Sequence, residues 1–314
     1  MEDRFLVRFW GVRGSYPLPG SSTVAIGGNT PCVEVQANGH LIILDGGTGI
    51  IGLGQDLVRR RKERDVPTVA TILFSHTHHD HTQGIPFFLP AYQGANTFHI
   101  LGPRTFDQDL EEALSRAMLP PAFPVQLQDL HSFKVIRNME ETDMIVFPNS
   151  EKNPEFRHRY HDATVSAPRE VVIYAQKSYA HPQEGVFHYR IEWAGKSLVY
   201  ATDTEGYVGG DQRLGQFADG ADLLIHDAQF TEAEYLDTES SKQGWGHSTP
   251  QMAASVARRA NVHTLVLYHH DPSHDDNMVM AMEREARNLF PSTYAAYEGL
   301  TFDLHNMPDA STTP

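Results

Sequence analysis

A chain of 314 residues with 40% apolar content can bury a substantial core in one large or two modest domains, and its longest apolar runs, at 41–44 and 264–268, fall far short of the roughly 18 to 20 residues that cross a bilayer. The formal net charge of −15 opposes broad binding to duplex or transfer RNA unless a strong local basic patch compensates. Cys32 is the one cysteine, which excludes an intramolecular disulfide and any thiolate cage, so metal ligands must be nitrogen or oxygen.

The first residues, Met1-Glu2-Asp3-Arg4-Phe5, enter a strand pattern at once, without the basic start and apolar stretch of a secretory signal, and a cytoplasmic location is expected. Strand patterns follow at 5–9, 32–35 and 41–44, then a helical pattern at 49–64 whose basic run at 59–62 reads as a solvated face. A buried strand is expected at 69–74, and the start of a helix interrupted by Pro86 at 82–92. A helix at 109–118 precedes the segment 120–168, which is rich in Pro, Asn, His and charge and reads as a loop-rich insertion or lid. Strands are expected at 171–175, 186–192, 197–201, 223–225 and 265–268, with Ala194-Gly195-Lys196 as a hairpin turn between two of them. Helices at 249–260 and 277–290 carry apolar residues at three- and four-residue spacing. The fold class is therefore α/β or α+β. No Gly/Ser linker or charge-rich break divides the chain, so residues 1–306 are expected to form a single domain, with 307–314 as a frayed tail.

The 18 histidines are clustered rather than spread. The strand at 69–74 runs out into Ser75-His76-Thr77-His78-His79-Asp80-His81. Residues two apart in extended chain point the same way, so His76 and His78 can grip one ion while the following turn aims Asp80 and His81 at a second. Imidazole and carboxylate are ligands for Zn²⁺, with Mn²⁺ or Fe as other occupants. A His-rich surface loop is the bland alternative, and the position behind a buried strand argues against it.

This His-x-His-x-Asp-His pattern resembles the signature of the metallo-β-lactamase fold superfamily, whose members are mostly hydrolases with a four-layer αββα sandwich. Leu41-Ile42-Ile43-Leu44-Asp45-Gly46-Gly47 resembles the preceding strand and turn of that family, which implies that Asp45 orients metal ligands. His181, Ala201-Thr202-Asp203-Thr204 and Leu265-Val266-Leu267-Tyr268-His269 resemble its third His, bridging Asp and last His. The resemblance, spanning 45–269, implies two divalent ions. One would be held by His76, His78 and His181, the other by Asp80, His81 and His269, with Asp203 and a water shared between them. His158 and His161 are rivals for His181, and His270 for His269, where the register Leu-x-Leu-x-His favours His269.

Leu224-Ile225-His226-Asp227-Ala228 and Gly246-His247-Ser248-Thr249 resemble ribonuclease Z and its phosphodiesterase relatives, which implies that Asp227 orients His247 to assist the leaving group. Asp stands where Glu is usual. Phe9-Trp10-Gly11-Val12-Arg13-Gly14-Ser15 resembles the glycine-rich first turn of that branch, with Arg13 either meeting a phosphate or serving the fold. The protruding basic arm by which ribonuclease Z holds tRNA has no counterpart here. The substrate expected is thus a small phosphodiester such as a cyclic nucleotide or cyclic sugar phosphate, with Asp80, His247 and Asp227 as catalytic residues, no membrane or large nucleic acid partner, and a homodimer as an option. The enzymatic alternative is lactone, β-lactam or thioester hydrolysis on the same ions. An RNA-processing nuclease, a persulfide-type oxygenase and a non-catalytic metal-binding protein stand behind it.

Overall fold

A computed structural model describes residues 4–148, 152–162, 170–206 and 211–307. Its strands are β1 (Phe5–Gly11), β2 (Cys32–Ala37), β3 (His40–Leu44), β4 (Val69–Leu73), β5 (Thr97–Pro103), β6 (Phe133–Met139), β7 (Asp143–Phe147), β8 (Glu155–His158), β9 (Val171–Ser178), β10 (Val186–Trp193), β11 (Lys196–Ala201), β12 (Leu223–Asp227), β13 (Thr264–Tyr268), β14 (Thr293–Ala295) and β15 (Thr301–Asp303). The α-helices are α1 (Gly49–Arg64), α2 (His79–Thr82), α3 (Leu110–Arg116), α4 (Gln212–Phe217), α5 (Glu232–Tyr235), α6 (Pro250–Arg259) and α7 (Asp276–Leu289).

Period-two alternation along single strands accounts for the layering. Ile42 and Leu44 of β3, Leu223 and Ile225 of β12, and Val266 and Tyr268 of β13 meet in one central core between two sheets. Their neighbours point outward. Ile43, with Ile72 and Ile100, packs under Ile50, Leu53 and Leu57 of α1 and Leu110 and Leu114 of α3. Leu224, Leu265 and Leu267 pack under Ala253, Ala254 and Ala257 of α6 and Ala286 of α7. The result is the expected four-layer αββα sandwich. One sheet has the order β15-β1-β2-β3-β4-β5-β6 and the other β14-β13-β12-β11-β10-β9-β7-β8.

Helix starts are set by capping side chains, those of α3, α6 and α7 among them. Asp109, Thr249 and Asp275 each accept the amide of the residue three ahead, satisfying a donor that the helix leaves unpaired. The sequence reading needs correction in the middle of the chain. The segment 120–168, expected to be loop-rich, contributes β6 to the edge of one sheet and β7 and β8 to the edge of the other, while 149–151 and 163–168 lie outside the described residues. Edge strands bury one side incompletely, so β6 lacks a clear apolar alternation. The helix expected over 82–92 is instead the short α2 followed by two 3-10 turns around Pro86 and Pro90. Met307, assigned to the tail, packs against the central core. No helix among the described residues is long and apolar enough to cross a membrane.

Candidate metal centre

Strands β3 and β4 run parallel, as do β11, β12 and β13, so the C-terminal ends of each set open at one edge. Asp45 follows β3, His76 and His78 follow β4, Asp203 follows β11, Asp227 ends β12 and His269 follows β13. The two edges are tied together. Arg13 and His270 form a bridge between the sheets, and the Phe187 amide of β10 donates to the Ser75 carbonyl at 2.8 Å. Asp45, Asp203 and His269 all adopt positive φ, at 60°, 50° and 61°. Such backbone is uncommon outside glycine and concentrates where the surrounding structure holds a functional side chain in place.

The side chains form two adjoining groups. In the first, His181 Nε2 lies 3.1 Å from His78 Nδ1, and a nitrogen of His76 joins them. In the second, His81 Nε2 and His269 Nε2 are 3.3 Å apart, and Asp80 Oδ2 lies 3.3 and 3.2 Å from them. Asp203 stands between. Its Oδ2 is 3.7 and 3.8 Å from His76 and His181, and its Oδ1 is 3.2 and 3.3 Å from His81 and His269. Ligand atoms held tetrahedrally at ~2.0–2.1 Å from an ion sit about 3.3 Å from one another, which is the spacing found here. His76 Nε2 is buried without a hydrogen-bond partner, an arrangement that is costly unless something binds it. The residues therefore fit divalent metal ions, and the donor set is the nitrogen and oxygen set expected.

Four rings present a defined nitrogen because the other is occupied. His81 Nδ1 is 2.8 Å from Asp45, His269 Nδ1 is 2.9 Å from the Gln229 amide oxygen, His181 Nδ1 is 3.1 Å from the Gly246 carbonyl, and His76 Nδ1 is 3.1 Å from Ser75 Oγ. Asp45 also accepts the Ser75 amide and hydroxyl and the Tyr200 hydroxyl, at 2.7, 2.8 and 2.7 Å. Its burial is thus fully compensated. The Ser15 amide donates to Asp80 Oδ2 at 2.8 Å, and a Cβ on Gly14 would lie 2.4 Å from the His269 ring, so the first turn packs directly on the site. Ser75 and Ser15 stand inside motifs of the sequence reading, which gave them no role, and Gln229 and Tyr200 escaped it. Gln229 and Tyr200 each adjoin a motif residue, the one signal available for them. Asp45→Asn should keep the shape but present a donor group to groups that already donate, weakening metal binding about 10- to 100-fold in a chelator competition. Unaltered metal retention would deny Asp45 that role.

Charge and burial oppose one another throughout the cluster. Burial disfavours ionised Asp203 and Asp80, yet the adjacent His269 and His81 hold both carboxyls well below the usual range. Burial likewise opposes a charged His81, and Asp203, Asp80 and Asp45 overcome it. His76 is kept neutral by burial and by His81, the form a ligand needs. Such a concentration of buried carboxylate asks for cations.

His247 sits beside this cluster. Its Nδ1 lies 2.7 Å from Asp227 Oδ2, and it has a nitrogen within 4.8 Å of those of His181 and the Asp203 carboxylate. Asp227 is fully buried and anchored by the Ser248 and Gln229 amides at 2.9 and 3.1 Å. Burial lowers the affinity of His247 for a proton, but the Asp227 carboxylate more than offsets this and pushes its pKa up to about 9. Nearby divalent cations would draw that value down toward neutrality. The shorter acid therefore still reaches its histidine.

The rivals lie elsewhere. His270 is buried and bonds the Ala296 carbonyl, while His158 and His161 pair with each other at a ring distance of 4.3 Å. His79 is exposed. Arg13 is fully buried and donates to the carbonyls of Gly27, Asp271 and His274, at 2.8, 3.0 and 2.6 Å, which leaves it holding loops together.

Residues 40–270 match the family model described as "Beta-lactamase superfamily domain". Ribonuclease Z of Picrophilus torridus is 24% identical over 97% of this chain and 97% of its own length. Among solved structures, the metallo-beta-lactamase fold protein YhfI from Bacillus subtilis superposes with a TM-score of 0.64 at 18% identity, covering 96% of this chain and 100% of that one. Human tRNase Z, short form, gives a TM-score of 0.60 at 20% identity over 95% and 99% of the two chains. With a family model spanning most of the chain and its motifs gathered at one sandwich edge, this protein belongs to the Beta-lactamase superfamily domain family, as a metal-binding hydrolase.

Proposed function

We propose that this hydrolase is a phosphodiesterase that works with two divalent ions, Zn²⁺ in first place, held by His76, His78 and His181, by Asp80, His81 and His269, and by Asp203 between them. Such a pair supplies Lewis acidity toward a phosphoryl oxygen and makes water a nucleophile near neutral pH. The chain supplies position and protons. Asp80 stays ionised with one oxygen fixed by the Ser15 amide, a fixed acceptor for orienting an attacking water. His247 carries a proton on the ring nitrogen opposite Asp227 and delivers it to the departing alkoxide, and Asp227 keeps that ring in register.

The His247–Asp227 pair is the observation that carries this reading. A poor alkoxide leaving group needs a proton donor, whereas the thiolate released from a thioester at the same ions demands one less. The net charge of −15 favours a small phosphodiester such as a cyclic nucleotide or cyclic sugar phosphate. The name of the Picrophilus relative favours a second substrate reading, an RNA phosphodiester, and counts against the expectation that large nucleic acids are excluded. Residues 1–306 act as one catalytic unit in either case. Comparing turnover of a 2′,3′-cyclic nucleotide, a precursor tRNA and an acyl lactone by one preparation decides among them, and lactone turnover alone would remove the phosphodiesterase reading.

Protein prepared without chelators, then supplied with Zn²⁺, should carry close to two ions per chain by elemental analysis, since the donors are arranged as two groups around a shared Asp203. A reproducible ceiling of one would overturn the paired arrangement.

A further inference from the structure

The turn that leads into His247 also displays an indole. Trp245 is 55% exposed, yet its backbone is fixed on both sides. The Glu205 carboxylate accepts the Gly244 amide at 2.7 Å and the Gly246 amide at 2.8 Å, and it also accepts the Tyr235 hydroxyl at 2.7 Å. Gly244 and Gly246 have φ of 81° and 86°, a region closed to most residues. A Cβ on Gly246 would lie 2.4 Å from the His181 ring, so the turn rests on a candidate ligand. Glu205, in turn, is two residues from Asp203. The indole is thus referenced to the metal cluster from two directions.

Its surroundings suit a planar base that carries an anionic phosphate beside it. Lys242 Nζ stands 4.1 Å from the indole centroid. Phe230, buried, packs edge-on between Trp245 and His247, with centroid distances of 6.3 and 5.8 Å. Two residues before His181, Tyr179 is 70% exposed with Lys177 Nζ 5.2 Å from its ring. A large exposed aromatic on a rigid turn contributes little to packing, and rings paired with cations beside a reaction centre are the means by which bases are held without sequence readout.

We propose that Trp245, with Lys242, forms a stacking subsite for the unpaired base next to the scissile phosphodiester, so that nucleotidyl diesters are preferred over cyclic sugar phosphates and over paired strands. The choice of substrate rests on the phosphodiesterase reading above. Glu205 is the positioning residue of this subsite.

The test uses the full chain loaded with Zn²⁺ and two diesters sharing one leaving group, thymidine 5′-(p-nitrophenyl phosphate) and methyl p-nitrophenyl phosphate. In Trp245→Ala the ratio of kcat/KM for the nucleotide over the methyl ester should fall about 10- to 100-fold, mainly through KM, while Trp245→Phe should hold it within about threefold. Separately, adenosine 5′-monophosphate should quench tryptophan emission of the parent protein, ribose 5-phosphate should not, and Trp245→Phe should abolish the response, the other indoles being Trp10 and the buried Trp193. Equal losses on both esters, or no selective quenching, would overturn the subsite. Selective quenching without hydrolysis of either ester would keep the subsite and remove the phosphodiesterase reading instead.

Discussion

His247→Ala should lower kcat on a nucleotide diester by about 10²- to 10⁴-fold with little change in KM or metal content. The expectation follows from where its atoms are. Asp227 holds Nδ1 at 2.7 Å, so the proton available for transfer is on the other nitrogen of a ring that lies 5.1 Å from the His181 ring. That interaction matters as charge develops on the leaving oxygen, hence the loss belongs in kcat. The leaving group supplies an internal control. A p-nitrophenolate departs without a proton, so an activated aryl diester should suffer far less than one with a ribose-like alkoxide. Equal losses on both would reduce His247 to a binding or structural residue, and loss of metal from the variant would make it a ligand.

Asp80→Ala should remove most activity, even in preparations that keep some metal, whereas His79→Ala should be tolerated. The two residues are adjacent on α2, and the helix turns them roughly 100° apart. Asp80 is buried, within 3.3 Å of His81 and His269, and fixed by the Ser15 amide, while His79 is exposed. Steady-state rates with parallel elemental analysis check the pair. Should His79→Ala prove as damaging at unchanged metal content, the assignment of side chains within the motif would be wrong.

Much of this centre was legible because it is local. The spacing His76-x-His78-x-Asp80-His81 behind an apolar strand needs no knowledge of the rest of the fold, since extended backbone and one turn of helix decide where those side chains point. His181 and His247 were harder. Both sit on loops, between β9 and β10 and between α5 and α6, and nothing in their neighbouring residues sets the path of a loop. The residues missed altogether, Tyr200 and Trp245, act at long sequence separation. Tyr200 reaches Asp45 across the central core, and Trp245 is held by Glu205.

By itself the sequence determined the strand and helix periodicities, the exclusion of thiolate ligands, and the identity of the local metal motif, all of which depend on residue type and short-range geometry. Only the tertiary structure decided that His269 rather than His270 turns into the site, that Arg13 binds carbonyls, and that 120–168 completes both sheets. The reason is the same in each case. A side chain's partner is chosen by what another strand's end brings within about 3 Å, and the register between two sheets is written in the packing of both, not in either segment alone.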